Sequence, residues 1–290
     1  MQSNNPVFRR SKEFQAGNAY GNPTYAGNGA PYQGFGDAPQ AAAGGQYANP
    51  THTEYGATRA ASGPMTIDSV VQTTGITLLV TILAAAITWG VLPKVDVAAG
   101  TIPQGLIAAA IIGSGLAFVL SMVNSFKRVI SPALVLVFAA AEGVALGALS
   151  ELFNAAYPGV VIQAVIGTFA AFAGTLATYK FMHIHVGKKF RTMVMAGMWA
   201  VIGLGVLEMV LSMFGTGLGL FGSGPIGILF AAVGLVLGVF MLVLDFDFVE
   251  QGVRNGLPRR ESWRASFALL VSLVWIYTNL LRILAALQRS

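Results

Sequence analysis

The chain reads as an all-α membrane protein, a seven-transmembrane-helix bundle behind a disordered N-terminal tail. Three observations predict this. Of its 290 residues 55% are hydrophobic and 10% charged, with mean hydropathy +0.67, whereas soluble proteins carry about 25% charged residues. The apolar residues fall into blocks of about 20, enough helix to cross roughly 30 Å of hydrocarbon and unlike the alternating segments of about ten residues in an outer-membrane barrel. Ahead of the blocks, residues 1–64 hold Gly, Ala, Asn, Gln, Pro and Tyr with almost no aliphatic residue and no helical or strand period, the composition of a chain that cannot bury a core.

The domain plan is therefore a low-complexity cytoplasmic tail, 1–64, and a transmembrane domain, 65–290. Within the tail Asn-Pro recurs at Asn5-Pro6, Asn22-Pro23 and Asn49-Pro50, with Phe8, Tyr25 and Tyr55 close behind. These read either as weak adhesive motifs for a cytoplasmic membrane-protein partner or as a solvated leader. The basic start is not followed by an apolar run before Val70, so no signal peptide is expected.

Seven spans are predicted: Val70–Leu92, Gly105–Val123, Ala133–Phe153, Val160–Phe181, Thr192–Phe214, Ile226–Val249 and Ala265–Leu287. Pro64, Pro93, Pro103, Pro132, Pro158 and Pro225 punctuate them. Short connectors predict antiparallel neighbours. Gly143-x-x-x-Gly147 and Gly234-x-x-x-Gly238 mark either helix dimerisation faces or close approach inside one bundle, where small residues replace the hydrophobic effect as the packing device. Trp89, Tyr157, Tyr179 and Trp263 sit near span ends, as interfacial anchors do.

Orientation follows from Lys and Arg. With the tail inside, the cytoplasmic face holds Arg9, Arg10, Lys12, Arg59, Lys127, Arg128, Lys180, Lys188, Lys189, Arg191, Arg254, Arg259, Arg260 and Arg264, which is fourteen of the seventeen; Lys94, Arg282 and Arg289 lie outside. The positive-inside rule then predicts a cytoplasmic N-terminus in the cell membrane and an extracytoplasmic C-terminus, unless the last segment re-enters. The net charge of +5 is explained by this topology, since no basic cluster marks a nucleic-acid surface.

Charges within the spans are costly, on the order of 2.5–3.5 kcal/mol each on insertion scales, so they face a bundle interior, water or a partner. Asp245 ends an uncharged run and is the first functional candidate. Asp247, two residues on, points about 200° away, so the two cannot form a shared-proton dyad on one straight helix. Glu142 sits at mid-depth in the third span, with Glu151 and Glu208 toward the outer ends of the third and fifth. Arg282 is a candidate partner for either of those two. Glu142 and Glu151 are nine apart, about half a turn out of phase. One reading is a cation or proton pathway, with Asp245 and Glu142 as oxygen ligands of the kind calcium favours and Asp247, Glu208, Glu151 and Arg282 along it. The other makes Glu151, Glu208 and Arg282 structural pairs at the outer interface and lets Asp247 and Glu250 reach cytoplasmic water.

His183-x-His185 beside Lys188-Lys189 reads as a basic loop facing headgroups rather than a metal site. With no Cys, disulfides and thiolate catalysis are excluded. His-Glu-x-x-His, Gly-x-Ser-x-Gly, a Walker loop and Gly-x-Gly-Asp are all missing, so neither an enzyme nor a bound cofactor is expected.

Phe138-Ala-Ala-Ala-Glu-Gly-Val-Ala-Leu-Gly147, the Leu-Asp245 exit of the sixth span, and Trp275-Ile-Tyr-Thr-Asn-Leu-Leu-Arg282 together resemble the Bax inhibitor family. The tail and Met65-Thr-Ile-Asp-Ser-Val-Val suggest its bacterial, actinobacterial-type branch. The resemblance covers about residues 65–288. It implies a seven-helix bundle with a central last helix and a pH-sensitive calcium leak controlled by aspartates on the sixth and seventh spans. Asp245 matches the first aspartate; the second falls at Ser272, which cannot ionise. The second span offers no Arg or Lys before Lys127 to latch the aspartates. Two function classes remain: a cation leak gated at Asp245, and a non-conducting interaction protein that modulates a partner such as a membrane protease through its tail.

Overall fold

The computed structural model describes residues 63–182 and 186–289. The tail expected to be disordered, up to residue 62, and the His183-x-His185 pair lie outside them. The described residues form seven helices: α1 (Ile67–Val91), α2 (Gln104–Phe126), α3 (Pro132–Ala156), α4 (Val160–Met182), α5 (Lys188–Met213), α6 (Pro225–Arg254) and α7 (Glu261–Arg289). All seven are long and apolar enough to span a membrane. Each predicted span lies within its helix to within one residue, and α6 runs five residues past the predicted end.

Local chemistry sets the limits. Thr66 and Ser69 form a reciprocal capping box at the start of α1, each side chain accepting from the other's backbone N–H, which satisfies donors the first turn leaves open. Pro132 and Pro225 occupy first helical positions, where a missing N–H costs nothing. The end of α6 is a Schellman motif. Gly256 adopts φ 62°, Leu257 N–H returns to Gly252 O at 3.0 Å and Gly256 N–H to Val253 O at 3.2 Å, a reversal that needs a residue without Cβ. Leu257 O then accepts from Met65 N–H, and Gly63 O from Arg259 N–H, so the segment leading into α1 is tied to the α6–α7 turn. Met65 is buried there.

The last helix is central. α7 packs against α6, α1, α4 and α3, while α3 packs against α1 and α2. α5 is peripheral and rests on α6. Where helices meet, glycine removes the obstacle: a Cβ at Gly143 would meet Thr81 O, one at Gly147 would lie 2.9 Å from Thr88 Cβ, and one at Gly238 2.8 Å from Ile276 Cγ1. Both small-residue motifs thus serve approach within the bundle, α3 on α1 and α6 on α7. Hydroxyls join α1 to α7, with Ser69 Oγ and Ser262 Oγ 2.6 Å apart and Ser266 Oγ donating to Thr73 Oγ1 at 2.6 Å. In lipid such bonds and close van der Waals packing do the work that water does in soluble cores. Outward lie apolar side chains such as Ile111, Phe118, Trp199 and Met209, a surface of the extent that marks contact with lipid rather than water.

Candidate functional site

Three consecutive residues of α6 reach three different helices. Asp245 turns to α7, where Ser272 Oγ donates to Asp245 Oδ2 at 2.6 Å. Phe246 lies against α4, its ring edge-on to Phe172 with centroids 5.5 Å apart. Asp247 faces α5, paired with Arg191 Nη2 at 3.1 Å, and also accepts from Gln251 Nε2 at 2.7 Å. The helical step of about 100° per residue produces this fan, and it separates the two aspartates as their spacing required. Ser272 is fully buried, so its contact with Asp245 sits inside the α6–α7 interface.

Asp247 does more than reach water, which corrects the solvated reading for that residue; Glu250, its side chain 43% exposed, does reach water and is also bonded within the protein. Asp247 is 7% exposed and held by Arg191. Glu250 Oε2 accepts from Tyr179 OH at 2.5 Å, and its other oxygen pairs with Arg254 at 2.6 Å. Asp247, Glu250, Gln251, Tyr179 and Lys180 line a cavity of about 790 Å³ at this end of the bundle, open between α4 and α6. Sequence reasoning missed Arg191 and Tyr179. From the sequence alone Arg191 is only a topology signal and Tyr179 only an anchor; the base on the fifth helix pairs with Asp247, and none pairs with Asp245 among the described residues.

The acids at the opposite end of the bundle, Glu151 and Glu208, also find partners, though not those expected. Glu151, 5% exposed, pairs with Lys94 at 3.0 Å. Glu208 accepts from Leu218 N–H at 2.7 Å and Gly219 N–H at 2.9 Å. Arg282, read as a partner for Glu208 or Glu151, instead donates to Leu220 O at 2.5 Å and lies over the Phe221 and Phe230 rings. Glu208 and Arg282 therefore grip one loop from its two polar sides, because a backbone segment offers N–H groups to an acid and carbonyls to a base. Glu151, Glu208 and Arg282 are each bound to protein groups at this end.

Glu142 is half-buried on α3 and has no hydrogen-bond or ion-pair partner among the described residues. No such bond joins it to Asp245. Among the described residues no three acidic or histidine side chains converge to hold a metal ion. Asp245 and Glu142 thus stand apart, on different helices.

A central seventh helix met by a carboxylate of the sixth, in a bundle of apolar helices, defines a multi-pass membrane protein. The chain belongs to the Bax inhibitor 1 like family, whose model matches residues 5–289. No curated protein matches the sequence.

Proposed function

We propose that the bundle is a pH-sensitive leak pathway for calcium or another cation, with Asp245 as gate and ion ligand and Glu142 as mid-membrane ligand or proton acceptor. One observation carries the reading. Asp245, a carboxylate within the α6–α7 interface, has a neutral hydroxyl as its hydrogen-bond partner and no cation pairs with it among the described residues. An ionisable side chain kept inside a membrane without a counter-ion is a functional candidate by default. Opening the α6–α7 contact at Asp245 exposes its oxygens, and proton uptake alters their attraction for a cation. Calcium here is cargo, not a resident cofactor, and the reading needs no catalytic chemistry. The pathway crosses the cell membrane with the N-terminus in the cytoplasm, as the distribution of Lys and Arg suggests.

The test is calcium flux into proteoliposomes at acid and neutral pH, comparing the intact chain with Asp245→Asn. Flux that changes with Asp245→Asn is expected. Flux and pH dependence untouched by the substitution would sink the proposal.

A second reading, a non-conducting protein that modulates a membrane partner through its tail, is favoured by one contact. Gly63 and Met65 are bound to the α6–α7 turn, so a pull on the tail acts directly on the two helices that meet at Asp245 and Ser272. Deleting residues 1–60 should then abolish partner capture while the bundle stays folded; capture by the truncated protein rejects this reading.

A further inference from the structure

A second cavity, unconnected with the acidic end, lies between α1 and α4. Its floor is buried α3 and α7, including Ser150, Leu273 and Tyr277, and its rims are half-exposed, Ile82 on α1 at 49% and Val165 on α4 at 39%. α1 and α4 are not among the closely packed pairs, so the gap opens sideways, toward lipid. The volume is about 270 Å³, above the roughly 150 Å³ of a dry apolar cavity able to take up benzene.

The hydroxyls in its wall are already used. Ser150 Oγ donates to Leu146 O at 2.5 Å, which leaves Tyr277 OH to donate to Ser150 Oγ at 2.7 Å. Thr168 Oγ1 donates to Ala164 O at 2.7 Å, and Thr81 Oγ1 to Ala139 O at 3.1 Å. A buried water needs two to four polar partners, and the buried hydroxyl protons of this wall are already spent on the protein. The space suits hydrocarbon.

At the outer rim stands a cation. Trp89 lines the cavity, and Lys94 is bound to it, Nζ donating to Trp89 O at 2.5 Å and lying 5.4 Å from the centre of its ring. Lys94 is half-exposed and also holds Glu151 at 3.0 Å. An ammonium has three donors; two are spent inside the protein, and the third is left at the level where an interfacial Trp sits, near headgroups.

We propose that this cleft is a phospholipid site, with one acyl chain lying between α1 and α4 against Leu273 and Tyr277, and the lipid phosphate accepting from Lys94 beside Trp89. The bound chain fills the gap between two helices that both pack on α7, so the lipid braces the central helix from the face away from α6. This does not depend on ion conduction.

The full chain, purified in detergent, is examined by native mass spectrometry after exposure to vesicles of a single phospholipid, and separately to the matching diacylglycerol, which lacks the phosphate. Wild type should retain one phospholipid. Val165→Phe and Ala86→Phe, which fill the cleft from its lipid-exposed rims, should lower retention roughly tenfold, the scale of excluding a couple of methylenes. Lys94→Gln should lower phospholipid retention and leave that of the diacylglycerol, which carries no anion, unaffected. Ile111→Phe, on a lipid-exposed face of α2, should change nothing. Equal retention in the wild type and the two Phe variants, or none in the wild type, overturns the site; equal retention in the wild type and Lys94→Gln overturns the phosphate contact. Thermal melting of each variant separates loss of lipid from loss of fold.

Discussion

Ser272 Oγ lies 2.6 Å from Asp245 Oδ2, so a hydroxyl of the central helix occupies the place where the family resemblance puts a second carboxyl. The two residues are 27 positions apart, and counting back along α7 was enough to choose Ser272. A hydroxyl can donate to a carboxylate but cannot share a titrating proton with it, so this contact stabilises one arrangement without a two-carboxylate switch.

Restoring the acid should restore the switch. In Ser272→Asp two carboxyls would face one another at hydrogen-bonding distance and titrate as a coupled pair. Calcium flux into proteoliposomes should then differ between acid and neutral pH more steeply than in the wild type, and the double variant Ser272→Asp with Asp245→Asn should lose that difference. A flat pH profile in Ser272→Asp would separate this contact from gating. Ser272→Ala, which only removes a donor, should lower stability by about 1–3 kcal/mol through the acceptor left buried.

Arg191 holds the peripheral α5 to α6 through Asp247, with Phe190 edge-on to Phe240 at 5.4 Å as the adjoining contact. The Arg191 side chain is 55% exposed but that of Asp247 only 10%, so the pair is partly shielded. A double-mutant cycle of Arg191→Gln and Asp247→Asn should return a coupling of about 0.5–3 kcal/mol by thermal unfolding in detergent. Additive effects would mean that the two charges do not sense each other.

Glu208 and Arg282 grip the Leu218–Leu220 loop from opposite chemistry. Glu208→Ala should release two backbone N–H groups and Arg282→Leu one carbonyl, each raising cleavage between residues 214 and 224 by an added protease. Arg282→Lys should restore less than wild-type protection, because one ammonium replaces a fork that also lies over two rings. A loop equally resistant in all variants would refute the clasp.

The glycine contacts can be read by thermal melting. Gly147→Val places its Cβ 2.9 Å from Thr88 Cβ and 3.0 Å from Ala85 Cα, so α1 and α3 must separate, at a cost of about 1–3 kcal/mol for an overpacked contact. Gly174→Ala, with nothing within 4 Å of the new Cβ, should be neutral or gain up to about 1 kcal/mol through helix propensity. The same loss at both sites would deny Gly147 a packing role.

Most of the architecture was legible along the chain because the bilayer imposes a one-dimensional rule: about 20 apolar residues per crossing, closed by Pro, Gly and charge. Helical phase was legible too. The divergence of Asp245 and Asp247 followed from two residues on one helix, and both glycine motifs could be given a packing role. What went astray was pairing across helices. Arg282 was matched to the nearest acids at its depth, yet Glu208 and Arg282 each take up backbone of one loop. Asp247 reads from the sequence as either a pathway residue or a solvated one, yet Arg191, 56 residues away on α5, covers it.

The sequence by itself determined a membrane protein of seven helices, their limits, the glycine faces and the candidate Asp245, since each depends on composition or on spacing within one segment. Only the tertiary structure decided that α7 is surrounded, that Ser272 meets Asp245, that Tyr179 and Arg191 hold the acids beyond it, and that a largely apolar cleft opens between α1 and α4. Those facts depend on which helix stands beside which, and a hydrophobic pattern cannot specify neighbours when the solvent is itself hydrocarbon, because every apolar face is equally content against lipid.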